Sequence, residues 1–140
     1  MRHRSRNGQR GSAMLEAALI YGCFMFMLVG ALDIGHYMFL HHSLVERTRA
    51  ATRYGVSRAF DADAIRNIVL YNSPTIPSGA SPIFGLSTSN VQVSETPSTL
   101  TTPPYLQVTV SGWRYFRFSP AQAGRPTGQT ITAMLPIELP

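Results

Sequence analysis

The run from Ala17 to Leu32 contains no charged residue. With Ser12 to Glu16 in front of it, the stretch reaches the ~20 residues that an α-helix needs to cross a bilayer at about 1.5 Å per residue. Directly before the run stands Arg10-Gly11-Ser12-Ala13-Met14-Leu15-Glu16. An ionised carboxylate at the head of a membrane helix is costly unless it finds a partner, so Glu16 is a functional candidate by its position alone.

The apolar stretch, extended past Asp33 to Leu40, is longer than the ~7–15 residues of a signal-peptide core, and no Ala-x-Ala site follows it. It is therefore expected to stay in the mature protein. The net charge of +5 is unevenly placed: Arg2, Arg4, Arg6 and Arg10 precede Gly11 with no acid among them. Setting these four aside from twelve basic residues leaves eight against seven acids. This weakens a nucleic-acid reading, which needs a basic folded face. It supports a topology with the N-terminus in the cytoplasm and the rest outside, because arginines beside a membrane helix stay inside.

Beyond Tyr37 the pattern becomes amphipathic. Leu44, Thr48, Ala51, Gly55 and Ala59 recur at three- and four-residue spacing, with Glu46, Arg47, Arg49, Arg53 and Arg58 on other faces. One helix from Ser12 to about Phe60 is expected, roughly 70 Å long at ~1.5 Å per residue. Gly30 and Gly35 are either close-packing points or soft points within it. Cys23 is the single cysteine, which excludes an internal disulfide, and a small buried apolar role is expected for it.

Asp61 reads as the N-cap of a short helix from about Ala62 to Tyr71, with Asp63 complementing its dipole. Asn72 to Leu86, interrupted by Pro74, Pro77 and Pro82, is expected to be loop, as is Ser94 to Pro104. Val91–Glu95 and Leu106–Val110 alternate as strands, Gly112 bends the chain into Trp113–Phe118, and Gln129–Ile137 is a last strand edged by prolines, Pro120 and Pro126 before it and Pro136 within it. The fold class is α+β: a long N-terminal membrane-spanning helix leading into a small head with a short helix and a three- to four-stranded antiparallel sheet. The expected organisation is 1–11 leader, 12–60 transmembrane and assembly helix, and 61–140 head.

Catalytic chemistry is poorly represented. His36 and His41 are five apart, whereas a zinc pair on one helix face needs i,i+4 spacing and a third ligand, so interfacial or satisfied histidines are expected. Neither a nucleophile elbow nor a phosphate loop occurs, and neither an enzyme, a cofactor, a metal site nor a small-molecule substrate is expected. Trp113-Arg114-Tyr115-Phe116-Arg117-Phe118 interleaves aromatics with arginine in a way that can stack bases or sugars, but a sheet strand with aromatics on both faces is the preferred reading.

Gly11, the glutamate five positions on and the apolar helix resemble the processing and assembly signal of type IV prepilins. Leu32-Asp33-Ile34-Gly35-His36-Tyr37 and Glu46-Arg47-Thr48-Arg49-Ala50-Ala51-Thr52-Arg53-Tyr54-Gly55 are similar to TadE-like proteins, pilin-like components of the Tad or Flp tight-adherence pilus. Asp61-Ala62-Asp63-Ala64-Ile65 resembles the family's second short helix, and the resemblance is weak over 73–104. It implies a minor pilin or pseudopilin, cut between Gly11 and Ser12 by a prepilin peptidase. It also implies that Glu16 pairs with the new N-terminal amine of a neighbouring subunit. The partners so implied are the peptidase, other pilin subunits and the Tad inner-membrane assembly platform. The implied location is the bacterial inner membrane, single pass, with the head periplasmic or, after assembly, extracellular. Asp33, Arg47, Arg49 and Arg53 are the candidate subunit contacts. The competing reading is an uncleaved, membrane-tethered periplasmic binding module.

Overall fold

The long helix and the head share one core. The computed structural model describes residues 7–98, 103–119 and 126–137; most of the expected leader, the middle of the expected 94–104 loop and Pro120 lie outside the described residues. Helix α1 spans Asn7–Val56, 50 residues, or about 75 Å at ~1.5 Å each. From Ala13 to Leu32 its side chains are apolar on every side apart from Glu16, and residues 11–24 are exposed without interruption. Leu40 is the first fully buried position, and Leu44, Thr48, Ala51, Thr52 and Gly55 continue the stripe. The two threonines are tolerated there because each hydroxyl donates to the carbonyl four residues back, Thr48 to Leu44 at 2.7 Å and Thr52 to Thr48 at 2.8 Å.

The helix stops at Val56 rather than Phe60, and Ala59, expected on the buried stripe, is exposed beyond its end. Gly55 explains how that end closes onto the head. A Cβ there would overlap Leu106 Cδ2 and lie 2.6 Å from Ile65 Cδ1, so a larger residue would force these two buried side chains to shift.

Helix α2 runs Ala62–Tyr71, as its local signals require. Asp61 Oδ1 accepts the N–H groups of Asp63 and Ala64 at 3.0 and 3.1 Å. At the other end Asn72 adopts φ +57° and its N–H reaches the Ile68 carbonyl. Its inner face, Ala64, Ile65, Ile68, Val69 and Leu70, packs against α1 and the sheet. The expected loop that follows contains single 3-10 turns at Ile83–Gly85 and Thr88–Asn90.

The sheet is an antiparallel meander of β1 (Val91–Thr96), β2 (Tyr105–Val110) and β3 (Ile131–Pro136), in the order β1-β2-β3. Val108 lies opposite Val93 on one side and Ala133 on the other. Leu106, Val108 and Val110, all fully buried, alternate with Tyr105, Gln107 and Thr109 on the opposite face. Each such buried aliphatic side chain contributes about 1.5–3 kcal/mol. Pro136 is accommodated because β3 is an edge strand, where a missing N–H leaves no ladder bond unmade.

Trp113–Phe118 is not a strand. After Gly112, at φ +70°, the chain leaves the sheet and keeps only an isolated bridge between Arg114 and Thr127. The reason is the indole: Trp113 is buried against α1, its Nε1 donates to the Gln129 carbonyl at 2.8 Å, and Gly128 N–H donates back to the Trp113 carbonyl at 2.8 Å. These bonds also shorten the last strand, which begins at Ile131 instead of Gln129. Gly128 is required at this crossing, since a Cβ would fall 2.0 Å from the indole.

Candidate functional site: the exposed apolar helix and its two acids

The candidate site occupies the first two thirds of α1. From Gly11 to Phe39 it presents large apolar side chains to the surroundings, among them Met14, Leu19, Phe26, Met27, Ile34 and Phe39. This segment is long and apolar enough to cross a membrane, and none of its most apolar window is buried by the rest of the chain. Gly11, Gly22, Gly30 and Gly35 have open space where a Cβ would stand, so nothing among the described residues demands small residues there. Cys23, expected to be buried, is exposed, because the head does not reach down the helix to that level.

Gly11, Ser12 and Glu16 lie in continuous helix, and all three are exposed. Four-residue spacing puts Glu16 over the turn that carries Ser12. Among the described residues the Glu16 carboxylate has no hydrogen-bond or ion-pair partner. Among those residues it is an acid without a partner on an otherwise apolar surface.

Asp33, the second acid, is engaged within the chain. Its Oδ1 accepts the Phe118 N–H at 2.5 Å and its Oδ2 accepts the Ser119 N–H at 3.1 Å. One carboxylate thus holds two successive backbone amides that have left the sheet, in charge-assisted geometry. An aromatic stack continues this contact up the helix. Tyr37 lies 5.7 Å from Trp113 and 5.0 Å from Tyr115, while His36 meets Phe118 edge-on at 6.0 Å. Sequence reasoning missed this docking, and only an acid and two aromatic positions on one helix stripe hinted at it.

Asp33→Ala is expected to speed deuterium uptake at the Phe118 and Ser119 amides by roughly tenfold or more, since hydrogen bonds to a charged group contribute about 1.5–3 kcal/mol. Asp33→Asn, which keeps one acceptor oxygen, should fall between. Unchanged uptake in the alanine variant would mean that the aromatic stack alone holds the segment.

The arginines separate into different environments. Arg47 is half-buried, and its Nη1 lies 3.4 Å from the Val69 carbonyl at the end of α2. Burial pushes its guanidinium below the usual range, yet an arginine remains cationic at neutral pH. Arg49 pairs with Glu46 at 3.4 Å on the exposed face. Arg53 is exposed and, with Arg49, His41 and Val45, lines a groove of about 560 Å³ between α1 and the edge strand β3.

The histidines divide as well. His42 is exposed, His36 packs on Phe118, and His41 stacks on Tyr37 at 5.9 Å. His41 Nδ1 is buried with no hydrogen-bond partner among the described residues, so this histidine is packed but not fully satisfied. Among the described residues no group of three or more His, Cys, Asp or Glu side chains is placed to hold a metal ion.

Residues 11–53 match the family model described as TadE-like protein. The matched segment holds Glu16 and Asp33, the exposed apolar surface of α1 and most of its buried stripe. No curated protein and no solved structure matches the chain.

Proposed function

We propose, taking the TadE-like match of residues 11–53 as the premise, that this chain is a minor pilin or pseudopilin of a Tad or Flp pilus. In this reading a prepilin peptidase cuts between Gly11 and Ser12. The mature chain is held in the bacterial inner membrane by α1, with the N-terminus cytoplasmic and the head periplasmic. It then joins other pilin subunits through the exposed helix, on the Tad assembly platform, and supports pilus biogenesis and adherence.

The observation that carries the proposal is Glu16, without a partner among the described residues, on an exposed apolar helix, four residues after Ser12, inside the matched segment. Cleavage at Gly11 creates an α-amino group at Ser12. A neighbouring subunit's amine placed against Glu16 neutralises both charges where water is scarce. Asp33 is less available for such use, because its two oxygens already hold amides of its own chain. Arg49 and Arg53, on the exposed side of α1, remain the stronger candidates for contacts with a neighbour, and half-buried Arg47 the weaker one.

The experiment that tests the reading is mass spectrometry of the chain from cells with and without their prepilin peptidase. A mature start at Ser12 that depends on the peptidase is expected. An intact N-terminus in both strains would overturn the proposal and leave an uncleaved tethered module.

A further inference from the structure

The segment Trp113–Ser119 runs down α1 toward its apolar half. Trp113 sits at the level of Tyr37 and His41, Tyr115 at Tyr37, and Phe118 at His36 and Asp33. Its exposures alternate: Trp113 is buried, and Tyr115 and Arg117 are half-buried against the helix side. Arg114, Phe116 and Phe118 are exposed. The two phenylalanines are 54% and 53% exposed and touch each other edge-on at 5.2 Å. Neither ring belongs to the buried core of the head.

Their depth explains them. An apolar span from about Ala13 to Leu32 covers the ~30 Å hydrocarbon core, and the headgroup layer on each side adds about 5–8 Å. At ~1.5 Å per residue, that layer corresponds to roughly four or five helical residues, which is the stretch from Asp33 to Tyr37. The helix itself stays apolar on its free side here, with Ile34 63% and Phe39 65% exposed. Phe118, bonded through its N–H to Asp33, is therefore at headgroup level, where aromatic side chains are favoured. Arg114, exposed between Trp113 and Tyr115, stands near the Tyr37 level at the outer edge of that layer, from which a long guanidinium side chain can reach down to lipid phosphate.

We propose that Trp113–Ser119 is an interfacial membrane anchor, with Phe116 and Phe118 entering the headgroup–acyl boundary of the bilayer that α1 crosses and Arg114 contacting its phosphates. The anchor fixes the head down on the outer membrane surface, through Asp33, before the subunit leaves the bilayer. It rests on the reading of α1 as a membrane span.

The test uses the full chain in phosphatidylcholine and phosphatidylglycerol vesicles, in a Cys23→Ser background. Single cysteines at Phe116→Cys and Phe118→Cys carry an environment-sensitive fluorophore. Gln92→Cys, on the exposed face of the sheet, and Phe24→Cys, within the span, serve as references. At 116 and 118 the expected result is quenching by lipids spin-labelled near the headgroup and loss of quenching by aqueous iodide. Iodide access equal to that at Gln92 would overturn the anchor. So would shielding from iodide without lipid quenching, which would mean that another protein copy covers the strip. Failure of deep spin labels to quench Phe24→Cys would overturn the span reading itself, and the anchor with it. In the unsubstituted chain, broadening of the Phe116 and Phe118 ring signals by the same lipids in nanodiscs gives the same decision without any variant having to fold.

Discussion

On the proposed pilin reading, Glu16→Ala is expected to insert into the membrane normally and yet to be recovered in sheared pilus material at least about thirtyfold less than the unsubstituted chain. Two unit charges about 4 Å apart attract by about 4 kcal/mol at an effective dielectric of 20. Desolvation cancels part of this, and retaining half corresponds to roughly thirtyfold in subunit affinity. The substitution removes the only acid within the apolar span and leaves its helix propensity and exposed position unchanged or better. Glu16→Gln, which keeps hydrogen bonding without charge, should fall between. Equal recovery of Glu16→Ala and the unsubstituted chain would remove the amine-pairing role and favour a simple tether.

The second large effect is on the head. Trp113→Ala is expected to destabilise it by about 3–5 kcal/mol, a large share of the 5–15 kcal/mol typical of a whole domain. Trp113 is only 1% exposed, and its indole stacks on Tyr37 and donates to the Gln129 carbonyl at 2.8 Å. Its removal empties the space that Gly128 leaves open and takes away the indole N–H that the Gln129 carbonyl accepts. Circular dichroism melts of the detergent-solubilised chain should show a midpoint lower by more than about 10 °C. Phe116→Ala, at 54% exposure, should cost under about 1 kcal/mol. Equal losses in the two variants would refute the division of the strip into a packed and an exposed side.

The elements whose causes are local were legible in the sequence. Helix α2 carries its stop and start chemistry within its own ends, Asp61 and Asn72, so its bounds were readable residue by residue. Strand β2 alternates apolar and polar residues, and the side it buries follows from that alternation alone. The stripe Leu44, Thr48, Ala51 and Gly55 was readable from helical spacing. Ala59 continued the pattern but not the helix, because the chain turns after Val56 to bring α2 onto Gly55.

Trp113–Phe118 misled for a different reason. Its alternation of aromatics and arginines satisfies a strand pattern, and the pattern is real in the exposures. The second surface that it packs on is a helix about 80 residues away in sequence, not a fourth strand. No local propensity encodes that choice.

By itself the sequence determined the membrane-length helix, the acid at its head, the α+β class and the boundaries that caps and alternation set, since each follows from neighbouring residues. Only the tertiary structure decided that Asp33 captures the amides of Phe118 and Ser119, that Gly55 and Gly128 are crossings rather than flexible points, and that Glu16 lacks a described partner where Asp33 has one. Those outcomes depend on which distant surfaces meet, and a carboxylate is claimed by whichever donor the folded chain brings within reach.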